Sequence, residues 1–484
     1  MSDSNNSVRG LREQIGLVAG PLLAGLMLWA GPPEALAQAA WLVAALTVLM
    51  AVWWISEALP IAATALLPLV ILPLLGVSDF AAAATPYANP VVFLFLGGFL
   101  IALGIQASGL HRRIALLILG AFGARPHRLV GGFMLATALL SMWISNTAAA
   151  ALMLPIALSV LVLLEREGTR LPATLAVALM LAIAWGANIG GMGTLIGTPP
   201  NALLAAYMAE QGINVSFARW LLLGVPLVTV LLLLAWWVLV RVAHQLPRQP
   251  LPGVDELLGR ERAALGVMDS AQKRVLAVFV LVALAWVTRP LLESVWPAIS
   301  DAGIALAGGL LLFLLPTAGV TGRPILVWRD TRELPWGVLV LVGGGLSLGS
   351  AIDHSGLAVA LAALLQGLDG APLPLVLLLV ATLTLLLSHV TSNTATAAML
   401  IPLAAGLAPV LDVPVMLLVV PVVLAASCAF MLPVATPPNA IVFGSERLTI
   451  PDMLRAGAPL SLLALGVIVP VALWWALPAL AGGS

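Results

Sequence analysis

Charge is what this sequence has least of. Only 9% of its 484 residues are Asp, Glu, Lys or Arg, against 62% hydrophobic, and the mean hydropathy is +1.11. Soluble globular domains carry roughly 25% charged residues, so the composition excludes a soluble fold and marks an integral membrane chain. The 21 basic and 21 acidic residues cancel to zero net charge, which removes any bulk attraction to nucleic acid. A single cysteine, Cys428, excludes an internal disulfide and a cysteine metal cluster, and reads as a small core residue. Alternating ten-residue segments, the pattern of a membrane barrel, are absent. Apolar spans of about 20 residues recur instead from Gly16 to Ala481, with room for roughly ten or more helices. The polar start, MSDSNNSVRGLREQIG, has no cleavage pattern, so residues 1–13 read as a cytoplasmic tail and not a signal peptide.

What is present stands out against that background. The runs Leu129–Leu164 and Gly370–Leu411 contain no charged residue, yet each carries a Ser-Asn-Thr triplet, at Ser145-Asn146-Thr147 and Ser392-Asn393-Thr394. Unsatisfied polar groups at bilayer depth cost several kcal/mol each, so both placements call for a role. From Ser145 to Ser392 is 247 residues, and SNTAAAALMLPIA (145–157) aligns with SNTATAAMLIPLA (392–404) with eight identities in 13 positions. Ser-Gly-Leu at 108–110 and 355–357, and Gly97-Gly98 and Gly344-Gly345, keep the same offset of 247. TPPNA at 198–202 recurs at 436–440, 238 apart, so nine residues fewer separate the landmarks in the second copy. Shared polar and Pro/Gly landmarks in one order indicate a duplication.

The most polar interruption, 241–274, mixes Arg241, Arg248, Arg260, Arg262, Lys273 and Arg274 with Asp255, Glu256, Glu261 and Asp269. By the positive-inside rule it is a cytoplasmic loop, dividing a first membrane half (14–240) from a second (275–484). The segment before the first triplet, 111–130, holds four arginines, and its counterpart, 358–377, holds none. The first then faces the cytoplasm and the second the outside, so the two repeats are expected to be inverted, an arrangement that puts a site near the bilayer midplane between discontinuous helices.

Ser, Asn and Thr are favoured helix N-caps, so a lone triplet reads as a capped helix start. Two copies in inverted halves read further, as anion sites at helix N-termini whose side-chain oxygens can also hold a hard cation. The Thr-Pro-Pro-Asn motifs interrupt helices, since each proline removes a donor and pushes the preceding residue out of the α region. The first follows Gly190, Gly191, Gly193 and Gly197, and the second follows Pro433. A packing kink explains one such break; two in equivalent places point to backbone lining a cavity. Lys and Arg are missing from 129–164, 171–209, 370–411 and 413–445, so an anion held there needs helix N-termini and co-bound cations for neutralisation.

Both triplets, both Thr-Pro-Pro-Asn motifs, WWISEALPIAATALLPLVILP (53–73) and SCAFMLPVATPPNAIVFG (427–444) are the residues by which the chain resembles the divalent anion/sodium symporters, the carriers of citrate, dicarboxylates and sulfate. The resemblance spans essentially everything past the N-terminal tail. It implies an all-α polytopic membrane protein of two inverted repeats, with about eleven membrane helices and two re-entrant hairpins, working as an elevator-type homodimer. It implies substrate contacts from Ser145, Asn146 and Thr147, from Ser392, Asn393 and Thr394, and from Thr198, Pro199, Thr436 and Pro437 at the helix breaks. One sodium site would be lined by Ser141, Ser145, Asn146 and Gly197, the other by Ser388, Thr391, Asn393 and Ala435. The function it implies is sodium-coupled import of small dianions, C4-dicarboxylates such as succinate or malate, across the inner membrane, with sodium as coupling ion and no organic cofactor. Sulfate and citrate carriage share these motifs.

One departure bears on coupling. Where the family often has T-E-F-T before the second triplet, this chain has Ser388-His389-Val390-Thr391. His389 either satisfies a neighbouring carbonyl or, as an imidazolium, partly stands in for a sodium ion, which would favour sodium-independent exchange. Glu57, after Trp53-Trp54, reads as a structural acid at interfacial depth. Asp353 and His354 are expected near a helix end, and the Gly-Gly pairs at close helix contacts. An intramembrane enzyme would need a nucleophile or a metal set, and the apolar runs hold no His/Glu pair at ligand spacing. A channel would need a continuous polar stripe, whereas polarity here is concentrated at two points.

Overall fold

The computed structural model describes residues 10–34, 36–166, 173–244, 246, 249–317, 322–364 and 371–481. Most of the expected N-terminal tail, and Arg248, lie outside these. Among the described residues the fold is helical, with no strand beyond an isolated bridge between Pro316 and Pro324. The principal helices are α1 (Leu11–Ala30), α2 (Gln38–Ser56), α3 (Pro90–Ala107), α4 (Pro126–Ser141), α5 (Asn146–Arg166), α6 (Ala173–Gly191), α7 (Pro199–Glu210), α8 (Phe217–Trp237), α9 (Val254–Ala264), α10 (Ser270–Val287), α11 (Asp301–Leu314), α12 (Trp336–His354), α13 (Leu373–Ser388), α14 (Asn393–Ala405), α15 (Val415–Ala426), α16 (Pro437–Phe443) and α17 (Ile450–Val471). Nine helical stretches among the described residues are long and apolar enough to cross a membrane, and five shorter apolar ones accompany them. The nine fall short of about eleven because several apolar helices, among them Asp301–Leu314 and Val415–Ala426, are shorter than a full span.

Each half contains a helical hairpin and a broken helix. In the first, α4 ends at Ser141, and the chain turns through 142–145 before α5, where Ser145 Oγ accepts the Ala148 N–H at 3.2 Å as a cap. α6 stops at Gly191 and the helix resumes as α7 only after Thr198, held extended at φ −145°, ψ 141° by the proline that follows it. The second half repeats this with α13, the tip 389–392, α14, and then α15 broken from α16 at Thr436, φ −144°, ψ 151°. The breaks cross over: α16 packs on α5, and α7 packs on α14. This crossing brings all four interruptions together at the centre. α6 is the innermost helix, with 94% of its span buried, whereas α1 is only 17% buried and presents its apolar side chains outward.

The polar segment 241–274 is more ordered than a loop. It holds α9, tied back by an Arg112–Glu261 ion pair at 2.7 Å and by Arg113, whose guanidinium donates to Gly266 O (3.0 Å) and Leu265 O (2.9 Å). Both arginine-rich segments therefore lie on one face of the molecule. Gly97 packs against the backbone at Ala305 and Gly344 against that at Ala65, the close helix approaches expected of these pairs.

Candidate functional site

A cavity of about 650 Å³ opens where the tips meet the breaks. Its wall contains Ser145, Asn146, Thr147, Thr198 and Pro199 from the first half, and Ser392, Asn393, Thr394, Thr436 and Pro437 from the second, all ten residues expected to meet substrate. Gly197 and Ala435 also line it. Four helices, α5, α7, α14 and α16, begin at these residues, so their positive dipole ends converge on the cavity; α5 and α14 also bring backbone N–H groups, whereas Pro199-Pro200 and Pro437-Pro438 bring none. No Lys or Arg lines the wall; its single formal charge is Glu57.

Behind each tip lies a cluster of oxygens. Ser141 Oγ stands 2.5 Å from Asn146 Oδ1 and 2.7 Å from Ala187 O, and Ser388 Oγ stands 2.6 Å from Asn393 Oδ1 and 2.5 Å from Ala426 O. A hydroxyl has one hydrogen, so in each cluster one of these oxygen pairs lacks a proton between them. Asn146 Oδ1 faces only acceptors; with the amide turned over, its N–H would reach Ser141 Oγ (2.5 Å), Ala187 O (3.3 Å) and Gly197 O (3.2 Å). Converging oxygens without enough hydrogens suit a hard cation such as sodium. The backbone is cut close for it: a Cβ at Gly191 would come within 2.6 Å of Asn146 Oδ1, and one at Gly197 would overlap Gly191 O. The second cluster has extra hydroxyls nearby, with Thr391 Oγ1 2.5 Å from Thr396 Oγ1, where the first half has Ile144 and Ala149. Ser141, Ser388 and Thr391 are buried behind the tips and do not line the cavity.

The asparagines of the breaks hold the unwound backbone. Asn201 Nδ2 donates to Gly191 O (3.2 Å) and Thr194 O (2.7 Å), and Asn439 Nδ2 to Ala429 O (3.0 Å) and Leu432 O (2.9 Å). Each donor and acceptor in the second set lies 238 residues beyond its partner in the first, the same offset as the motifs themselves.

Several residues of the site escaped the sequence reading. Asn188, 1% exposed, lines the cavity and donates to Thr436 Oγ1 (3.1 Å) and Asn439 Oδ1 (3.2 Å) across the two halves. An amide in the otherwise apolar run of α6 was the available signal. Glu57 lines the cavity from a left-handed turn, φ 55°, and the neighbouring Trp54 is 1% exposed, with its N–H on Ile61 O. Trp143, in the first tip, stacks on Trp286 and meets Phe279 edge-on and Phe217 at a tilt, and Arg12 donates to Val390 O of the second tip at 2.7 Å.

His389 resolves to the plainer of its two readings. Nδ1 lies 2.7 Å from Leu385 O, and Nε2 lies 3.2 Å from the Met431 N–H. The first nitrogen must donate and the second accept, which only a neutral imidazole can do. The ring is a buried brace between α13 and the second break, not a resident cation. Asp353 sits at the end of α12 bonded to Tyr207, and Cys428 is fully buried.

Comparison with known proteins accords with this geometry. The profile of the family described as sodium:sulfate symporter, transmembrane region, matches residues 13–480. The chain belongs to this family. It is a membrane transporter and not an enzyme. Among similar symporters, the sodium-dependent dicarboxylate transporter SdcS of Staphylococcus saprophyticus is 42% identical over 477 residues, covering 96% of this chain and 92% of that one. Its namesake from Staphylococcus aureus (strain USA300) is 41% identical over 480 residues, 97% and 92% of the two chains. The symporter's fold is also similar to the YdaH transporter of Alcanivorax borkumensis (TM-score 0.57, 20% identity, 89% of this chain and 99% of that one) and to MtrF of Neisseria gonorrhoeae (TM-score 0.57, 14% identity, 94% and 97%).

Proposed function

We propose that this symporter imports a small dicarboxylate, C4 acids such as succinate or malate, together with sodium. The observation that carries the reading is the single cavity on which four helix N-termini converge with no Lys or Arg in its wall. Helix N-termini supply partial charges of at most roughly +0.5 each, about +2 in all, and the formal charge of Glu57 in the wall opposes them, so a dianion leaves a negative balance for added cations to neutralise. The two oxygen clusters behind the tips are where sodium ions sit in this reading, and the 42% identity to a protein named as a sodium-dependent dicarboxylate transporter agrees with it.

Coupling follows from the chemistry of an amide. With a cation among Ser141 Oγ, Ala187 O and Gly197 O, Asn146 keeps Oδ1 inward and turns its N–H groups to the cavity as donors for a carboxylate. Without the cation, the amide gains by turning over, since its N–H groups then satisfy the same oxygens. An acceptor then faces the incoming anion. Sodium thus prepares the donor that the substrate needs.

The arginine asymmetry of the repeats, and the common face of the two basic segments, support inverted halves with the N-terminus and 241–274 on the cytoplasmic side of the cell membrane. An elevator movement of the hairpins and broken helices, in a homodimer, completes the reading as the family resemblance implies it. The exchange alternative rested on a charged His389, and the neutral ring removes that support.

Uptake of labelled succinate into proteoliposomes tests the whole reading. An inward sodium gradient is expected to drive accumulation, and unlabelled malate to compete. Uptake that depends only on internal dicarboxylate and is indifferent to sodium removal would overturn it, and competition by sulfate or citrate alone would reassign the substrate.

A further inference from the structure

We propose that Asn188 is a positioning residue that turns the hydroxyl of Thr436 into a dedicated hydrogen-bond donor to the anion, so that one end of the site offers a donor and no acceptor at this hydroxyl. The assignment rests on the reading of the cavity as an anion site and goes beyond it by naming what sets the polarity of one wall.

The argument is a chain of forced orientations. Asn439 Nδ2 donates to two backbone carbonyls, Ala429 O and Leu432 O, which leaves Asn439 Oδ1 as an acceptor. The Asn188 atom 3.2 Å from that oxygen must therefore be its NH2 group. The same nitrogen lies 3.1 Å from Thr436 Oγ1, which also accepts the Asn439 backbone N–H at 3.3 Å. A hydroxyl oxygen has two lone pairs and one hydrogen. Both lone pairs of Thr436 Oγ1 are taken by these two donors, and among the described residues no protein oxygen accepts its hydrogen. Thr436 lines the cavity, so that hydrogen is available to a bound oxyanion.

The first half has no such device. The residue equivalent to Asn188 is Ser427 when counted from the matched pair Ala187 and Ala426, and Ala426 at the offset of the breaks; the Ser427 hydroxyl turns back to Val423 O, and Ala426 has no donor in its side chain. Asn201 Oδ1 is accordingly left buried without a donor, and Thr198 makes no side-chain cap bond. Thr198 can therefore donate or accept, while Thr436 can only donate. Two ends that look alike in sequence differ in what they admit, and Asn188 is the cause.

A double-mutant cycle in proteoliposomes, with succinate and sulfate as probes in saturating sodium, decides the matter. Thr436→Val is expected to raise the KM of the wild-type protein about tenfold, the loss of one charge-assisted hydrogen bond. In an Asn188→Ala background the same change should cost less than about twofold further, because the hydroxyl is no longer oriented. Thr436→Ser should restore the KM only where Asn188 is present, a result that general loosening of the fold would not give. Asn188→Asp keeps the shape but offers an acceptor, so it should turn the hydrogen inward and weaken binding at least as much as alanine. Asn188→Ser, which matches Ser427, carries the same cycle if the alanine variant does not fold. Equal cost of Thr436→Val with and without Asn188 overturns the assignment while leaving the anion site intact. Absence of saturable uptake of both probes by the wild-type protein overturns the anion site itself, and the assignment with it.

Discussion

Ser388 presents one hydrogen to two oxygens, and Ser141 does the same while Asn146 keeps Oδ1 inward; at the residue scale that shortage supports the proposed cation positions. His389 is the contrasting case, with both ring nitrogens fully bonded. Replacing it by Phe removes the acceptor for the Met431 N–H and should destabilise the protein by about 1–3 kcal/mol, the cost of a buried donor left unpaired. Its sodium dependence of uptake should persist, because the ring supplies no charge. Thermal unfolding in detergent and a sodium titration of uptake measure the two effects separately. A variant that kept its stability but needed more sodium than the wild-type protein would restore the imidazolium reading.

At the scale of elements, function depends on how closely a tip approaches a break. The first tip reaches the unwound segment between α6 and α7 only because Gly191 and Gly197 have no side chains. Gly191→Ala places a methyl group 2.6 Å from Asn146 Oδ1, inside van der Waals contact. The variant should stay folded, since the strain is local, yet lose the sodium-dependent thermal stabilisation expected with succinate. Retention of that shift would separate the tip from the cation cluster. The prolines were legible as helix breakers from sequence alone, and the structure places the breaks where Thr198 and Thr436 precede them. The segment 241–274 reads from its charges as a connection between the halves, and the structure adds that part of it is the helix α9, contacted by Arg112 and, just past its end, by Arg113.

For the whole molecule, the crossing of halves makes one site out of two. If the two cation clusters and the anion cavity act together, sodium and succinate should bind cooperatively, each tightening the other by the same factor. Each ligand at 100 times its dissociation constant stabilises by about 2.7 kcal/mol. The shift in unfolding temperature with both present should therefore exceed the sum of the separate shifts. A strictly additive result would mean that the clusters and the cavity are independent.

Sequence by itself determined the membrane class, the helical architecture, the duplication and the family, because these rest on composition, local periodicity and motifs repeated at one offset. It also singled out ten of the residues that line the cavity at the tips and breaks, since polar and Pro-Gly groups in apolar runs are conspicuous wherever they fold. Only the tertiary structure decided that Asn188 bridges the halves, that His389 is neutral, that Glu57 faces the cavity and that the two ends of the site differ. Each of these depends on which groups meet across the fold: Asn188 meets Thr436 248 residues away, and no local pattern in the chain records such an encounter.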